Sequence, residues 1–203
     1  MYFSTEWYKV LLDDQVLMTE QADLSPAHLI PIRVELQDPA NDWIETWRIA
    51  RRKGLASDQT SFLFKLLHCL LPTQDRVRRL GVADVGQPGL CQLCNLEEED
   101  ILHALFYCQH NVVAGHALLG YSQKIIPNLT PEDSIKLRLG NSLEEEEELA
   151  AISLLATGWA HIWKARTEKK QVCMFKMRAE LEAMISALRK SLSTIREYHV
   201  GDN

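Results

Sequence analysis

The most regular pattern in this chain is a pair of apolar seams in its last third. The first seam consists of Leu149, Ile152, Ala156, Trp159 and Trp163. The second consists of Leu181, Ile185, Leu188, Leu192 and Ile195. Steps of three and four residues place such side chains on one face of an α-helix. Two seams joined by a few polar residues predict a long antiparallel helical hairpin within residues 129–203.

Shorter helices are predicted upstream of the hairpin. Residues 40–53 look helical, and Gly54 suits the left-handed position that often follows a helix. The apolar run SFLFKLLHCLL predicts a buried helix, which Pro72 ends. Thr73 then caps a short basic helix, QDRVRRLG. The chain is therefore predicted to be mainly α-helical.

Two polar sequences predict where later helices begin. Thr130 followed by Pro131 is typical of an N-cap and the first helical position. Ser142, with Glu145 three residues later, predicts a capping box at the start of the first hairpin helix.

Prolines 26, 31 and 39 exclude a long helix near the N-terminus, because each lacks a backbone donor. Residues 1–44 are therefore predicted to form an extended or irregular segment. Residues 45–128 are predicted to form a helical module, which the Cys/His pattern below makes a zinc-binding module. Residues 129–203 form the helical hairpin in this division.

Composition narrows the class of protein. The 203 residues are 46% hydrophobic and 25% charged, as in an ordinary globular protein. No apolar run approaches the roughly 20 residues of a membrane span, and no secretory signal is recognisable. We therefore expect an intracellular protein, nuclear or cytoplasmic, that neither enters a membrane nor is secreted. In that reducing location the five cysteines are expected to be thiols or metal ligands.

Three of these cysteines and one histidine have the spacing of metal ligands. The pattern is Cys91-x2-Cys94-x8-His103-x4-Cys108. Three thiolates and one imidazole complete a tetrahedral Zn²⁺ shell, which leaves no open position for water. The pattern predicts one zinc ion with a structural role. The competing interpretation is a set of unligated thiols.

Other cysteines and histidines were weighed against this set. His110 and His116 lie close enough in the chain to replace one ligand. Cys69 lies in the apolar helix and is expected to be a small core residue. Cys173 is expected to be a lone thiol on the last helix.

The spacing of His103 and Cys108 constrains where the helix that carries His103 can end. Five residues of α-helix turn the side chains of His103 and Cys108 apart by roughly 140°. We therefore expect the helix to end near Tyr107, so that Cys108 turns back toward the metal.

Basic residues cluster locally although the net charge is −6. The candidates for nucleic-acid contact are Arg48, Arg51, Arg52 and Lys53, then Arg76, Arg78 and Arg79. A weaker set is Lys164, Arg166, Lys169 and Lys170. Such side chains can bind phosphate without sequence preference. The alternative for each set is a solvated helix face.

Several of these sequences together resemble a known family. The likeness is to the zinc-binding region near the C-terminus of non-LTR (LINE-type) retrotransposon reverse transcriptases. The family pattern is filled here by Leu71, Pro72, Thr73, Cys91, Cys94, Glu99, Asp100, His103, Phe106 and Cys108. Phe64 stands where the family commonly has Trp. The likeness extends over about residues 40–170.

The resemblance implies a region that holds template RNA or target DNA beside a polymerase. No polymerase is expected in this chain, because Asp13-Asp14 is the only aspartate pair and follows no aromatic residue. A nuclease pattern is not convincingly present either. We therefore expect a non-enzymatic C-terminal fragment or detached remnant, with no small-molecule substrate. The alternative is a domesticated protein-interaction module, in which zinc is only structural and the 181–195 seam binds a partner helix.

Overall fold

The computed structural model describes residues 43–67, 70–79, 89–140 and 143–200. Helices dominate these residues, as predicted. They are α1 (Trp43–Ala50), α2 (Ser57–Leu67), α3 (Gln74–Arg79), a π-helix (His103–Tyr107), α4 (Val112–Ser122), α5 (Pro131–Ile135), α6 (Glu145–Thr167) and α7 (Met174–Val200). The described ranges contain no strand, and one isolated antiparallel bridge pairs Leu90 with Glu98. The mainly α fold class is confirmed.

Helix α6 lies at the centre of the described helices. It contacts α1, α2, α4, α7 and the π-helix. The predicted seam is buried at Ile152, Ala156, Trp159 and Trp163, but Leu154, Leu155 and Ile162 outside that seam are buried too. The sequence pattern therefore underestimated the burial of α6, because helices cover it from several sides rather than one.

Helix α7 contacts both α6 and α4, and its Met177, Leu181 and Ile185 are buried. Near the start of α7, Glu180 accepts a hydrogen bond from Nε2 of His161 at 2.7 Å. The two seams thus belong to helices in contact, while their antiparallel hairpin arrangement stays a prediction.

Some predicted helix boundaries are confirmed and one is wrong. Thr130 caps α5, because its Oγ1 accepts the N–H of Asp133 at 3.0 Å. Gly54 adopts a φ of +104°, the conformation predicted for it. Ser142 of the predicted capping box lies outside the described residues, and helix α6 begins at Glu145, later than that prediction implied. Its N-cap is Glu144, whose N–H donates to the carboxylate of Glu147 at 3.3 Å.

The predicted three-part division is only partly covered by the described residues. Residues 1–42, which make up nearly all of the predicted irregular segment, lie outside them, as does Cys69. Residues 40–203 cluster as one compact unit. Helices from both sides of the predicted boundary at residue 128 contact each other, since α4 packs on α6. That boundary stays a prediction.

Candidate metal centre

The Cys91–Cys94 segment forms a tight turn. The N–H of Asn95 donates to the carbonyl of Cys91 at 2.9 Å, and Asn95 adopts a φ of +54°. The N–H of Cys91 donates in turn to the carbonyl of Glu97 at 2.8 Å. Asn tolerates this left-handed conformation better than most residues, so its position after the second cysteine closes the turn at little cost.

His103 and Cys108 are brought together by the π-helix. Asp100 begins the turn, because its carboxylate accepts the N–H of His103 at 2.6 Å. The N–H of Cys108 donates to the carbonyl of His103, five residues earlier, at 2.7 Å. Cys108 itself has φ −58° and ψ 129°, so the helix ends at Tyr107 as predicted. The wider π turn also reduces the angular separation that five residues of α-helix would impose.

Asn111, the N-cap of helix α4, and Gly115 within that helix support the π-helix. The buried Asn111 donates its Nδ2–H to the carbonyl of Ala104 at 2.9 Å. Gly115 lies so close that a Cβ there would be 2.6 Å from the carbonyl oxygen of Leu105. Helix α4 therefore fixes the backbone between the two ligand residues.

The four predicted ligand residues form one cluster. Their ligand atoms all lie within 4.8 Å of one another. The Sγ atoms of Cys91 and Cys108 are 3.7 Å apart, and Sγ of Cys94 is 3.4 Å from Nε2 of His103. Cys91, His103 and Cys108 are buried, whereas Cys94 is partly exposed. The cluster could hold a metal ion.

Backbone N–H groups point at the thiols. Burial raises the pKa of Cys91 to about 12, although the N–H groups of Leu93 and Cys94 oppose this rise. Burial also raises the pKa of Cys108, against the N–H of His110. At Cys94 burial is the largest single influence and raises the pKa, but the N–H groups of Leu96 and Glu97, with the side chains of His103 and Cys91, together lower it to about 7. Such donors stabilise thiolates, the form in which cysteine binds a metal.

Two carboxylates lie directly behind the ligands. Oε2 of Glu97 is 3.0 Å from Nδ1 of His103, which leaves Nε2 facing the thiols. Oε1 of Glu99 is 3.4 Å from Sγ of Cys91. Glu99 is fully buried and is ion-paired with Arg166 of α6. A carboxylate that accepts the ring N–H of a metal-binding histidine, as Glu97 can here, orients the imidazole.

These outer contacts were not predicted from the sequence. Glu97 and Glu99 lie in a run of acidic residues at positions 97–100, in which Glu99 stood out only through the family pattern, and Arg166 was grouped with other basic residues. The acid run itself contained no signal that one member is buried, because exposed and buried glutamates look alike in sequence.

The remaining thiol and histidine candidates are not part of the cluster. His110 and His116 are exposed, and neither belongs to the Cys/His group found among the described residues. Cys173 is a free thiol, as predicted, but it directly precedes α7 instead of lying on it, and it is exposed.

Several of the predicted nucleic-acid residues are engaged in ion pairs or buried. Arg48 contacts Glu45 and Glu148, and Arg52 contacts Glu145 and Glu148. In α3, Arg76 is 8% exposed, and Arg78 contacts Asp75 and Glu98. Arg51 and Lys53 are exposed, and the side chain of Arg79 lies outside the described part of the chain.

The weaker basic set divides in the same way. Lys164 and Lys169 are exposed, and Lys170 contacts Glu168 at 3.2 Å. Arg166 is buried and pairs with Glu99 beside the Cys/His cluster, instead of facing solvent.

No protein-family model matches this chain, and no match is found among curated proteins or solved structures. The resemblance to retrotransposon reverse transcriptases therefore stays a prediction. Among the described residues, no helix has the length and apolar character needed to cross a membrane.

Proposed function

We propose that Cys91, Cys94, His103 and Cys108 bind one Zn²⁺ ion in a structural role. The observation that carries this proposal is the spacing of the four ligand atoms. With Zn–S bonds of about 2.3 Å and a Zn–N bond of about 2.0–2.1 Å, a tetrahedron places two sulfurs about 3.8 Å apart and sulfur about 3.6 Å from nitrogen. In the structure, one S–S separation is 3.7 Å and one S–N separation is 3.4 Å, and all of the ligand atoms lie within 4.8 Å of one another.

The donor set favours zinc in a structural site. Three thiolates and an imidazole suit the borderline-soft Zn²⁺ and fill all four tetrahedral positions. No position remains for a reactive water, so the proposed site is non-catalytic. The segment from Cys91 to Glu99, called the ligand loop below, also contacts α3, since the N–H of Asp75 donates to the carbonyl of Glu99 at 3.2 Å. Zinc would thereby brace the short basic helix against the rest of the chain.

The metal content of the purified protein tests this proposal. We expect one zinc per chain, and loss of that zinc with a lower melting temperature in Cys91→Ser. Cys173→Ser is the matched control, because it removes an exposed thiol outside the cluster. A metal-free wild-type protein, or a Cys91→Ser variant that melts like the Cys173→Ser control, would count against a structural zinc.

We further propose that the zinc module contacts RNA or DNA, as its resemblance implies. The observation that supports this is the exposure of Arg51 and Lys53 just beyond the end of α1. Phosphate contacts made by such residues release counterions, so the affinity should fall steeply with added salt.

The structure changes which variants test nucleic-acid binding. Replacing the buried Arg76 would perturb folding, so the informative variant is Arg51→Ala with Lys53→Ala. The control is Lys124→Ala with Lys176→Ala, which removes the same charge from other exposed positions. Weaker binding to a labelled single strand is expected for the first pair only. Absence of binding by the wild type at low salt would exclude this role.

In the protein-interaction alternative, the packing of α7 limits which part of the 181–195 seam could bind a partner helix. Leu181 and Ile185 of the predicted partner-binding seam are already buried within this chain. A partner helix would therefore have to use the C-terminal part of the seam. If the wild type carries zinc but binds no nucleic acid, this alternative becomes the leading proposal.

A further inference from the structure

Glu99 is the point at which three parts of the chain meet beside the metal cluster. Its Oε1 lies 3.4 Å from Sγ of Cys91, and its Oε2 accepts the N–H of Gln74 at 2.9 Å. The Glu99 side chain is fully buried. A carboxylate in such a place is costly unless a cation pairs with it.

Arg166 supplies that cation from the C-terminal half of α6. Its Nε donates to Oε1 of Glu99 at 2.7 Å, and its Nη2 contacts the other carboxylate oxygen. The same Nη2 donates to the carbonyl of Pro72 at 3.1 Å, and the guanidinium lies 4.5 Å from the ring centroid of Trp163. The Arg166 side chain is only 4% exposed. Arg166 is therefore held in one orientation by three groups, the Glu99 carboxylate, the Pro72 carbonyl and the Trp163 ring.

The net charge of the proposed zinc site makes the ion pair of Glu99 with Arg166 important for the metal as well as for packing. Three thiolates around a divalent ion leave a net charge of −1 on the ligand cluster. Glu99 adds a second negative charge directly behind Cys91, in a buried region where charges are poorly screened. Only a nearby cation prevents this carboxylate from opposing the thiolate form of Cys91.

We propose that Arg166 is a positioning residue of the metal site, which neutralises Glu99 and so couples zinc binding to the docking of α6. The proposal rests on zinc occupancy of the Cys3His cluster. Because coupling between two events is reciprocal, zinc should in turn strengthen the contact of the Arg166 segment with the ligand loop. The competing explanation is that the ion pair only holds α6 in place and does not affect the metal.

Substitutions at both positions separate charge balance from simple packing. Arg166→Met leaves Glu99 unpaired and should weaken zinc binding about 10- to 100-fold, the usual effect of removing an outer-shell partner. Glu99→Gln removes the repelling charge and should bind zinc at least as tightly as the wild type. The double variant should recover most of the affinity lost in Arg166→Met, since neither charge remains. Because a purely structural ion pair would also regain stability in the double variant, zinc affinity is compared only among variants whose circular dichroism shows them folded.

Arg166→Lys keeps the positive charge but loses the planar two-point contact. Charge balance predicts that its zinc affinity stays within a few fold of the wild type. Lys164→Met is the control on the same helix, because Lys164 is exposed. These two variants also keep the test informative if Arg166→Met does not fold.

The measurement is competition between the full chain and a chromophoric zinc chelator. Absorption of the Co²⁺-substituted protein checks that all three thiolates still bind the metal, and far-ultraviolet circular dichroism checks folding. A wild type that binds no zinc would overturn the proposed function itself. A wild type that binds zinc, with Arg166→Met equal to Lys164→Met, would overturn only the role of Arg166. Weaker binding in Glu99→Gln, or in Arg166→Lys to the level of Arg166→Met, would also overturn it.

Discussion

Glu97 fixes the orientation of the single imidazole in the ligand cluster. Its carboxylate lies 3.0 Å from Nδ1 of His103, so that Nδ1 carries the proton and Nε2 is available to a metal. The Glu97 side chain is 70% exposed, and water can take over part of its role. Because Glu97 is so exposed, its contribution to zinc affinity should lie at the lower end of the range for outer-shell partners.

Glu97→Ala is therefore expected to weaken zinc binding about tenfold. Glu98→Ala is the control at the neighbouring position, where the side chain contacts Arg78 at 3.3 Å and not a ligand. Chelator competition on both variants gives the comparison. Equal affinities for the two variants would show that His103 is oriented without Glu97.

At the same scale, the four ligand residues could be predicted, but their supporting residues could not. Ligand spacing is set by local geometry, which a short stretch of sequence contains. Arg166 is 67 residues from Glu99, and their ion pair depends on how α6 docks. No local pattern distinguishes that arginine from the exposed Lys164 two residues earlier.

Among the structural elements, the π-helix depends most directly on its neighbour. Gly115 of α4 lets the two backbones approach, because an added Cβ would lie 2.6 Å from the Leu105 carbonyl oxygen and 2.9 Å from Cα of Phe106. Backbone atoms cannot move aside as a flexible side chain can. The position therefore requires glycine for space.

Gly115→Ala is expected to destabilise the protein by about 1–3 kcal/mol, the usual cost of overpacking. Gly120→Ala lies in the same helix with open space around its Cβ position, and it should stabilise by up to about 1 kcal/mol through helix propensity. Denaturant unfolding of the two variants measures both effects. Similar stability changes would contradict the close approach of α4 to the π-helix.

Helix boundaries could likewise be predicted where local sequence determines them, and could not where distant residues do. The end of the helix at Tyr107 could be predicted, because the metal pattern demanded that Cys108 turn back. The start of α6 could not, because glutamates 144–148 offer several equivalent first turns. The π geometry was also missed, since it depends on support from Asn111 and Gly115.

At the scale of the whole molecule, the Cys/His cluster and helix α6 share one hydrophobic core. Leu105 and Phe106, between two ligand residues, are buried, and the π-helix that holds them contacts α6. The mainly α class followed from the apolar periodicity alone. The central position of α6 did not, because a seam reports one buried face and cannot show how many neighbours cover the others.

This shared core predicts that zinc release and unfolding occur together. Free zinc at about 100 times its dissociation constant should add about 2.7 kcal/mol of stability and raise the melting temperature by about 5–10 °C. The Co²⁺-substituted protein allows metal loss to be followed by absorption while circular dichroism follows helix content in the same sample. Coincident transitions are expected, because the buried Leu105 and Phe106 lie between two of the ligand residues, His103 and Cys108. Loss of the metal signal well below the helix transition would instead make the cluster an independent appendage, and would remove the basis for coupling it to α6.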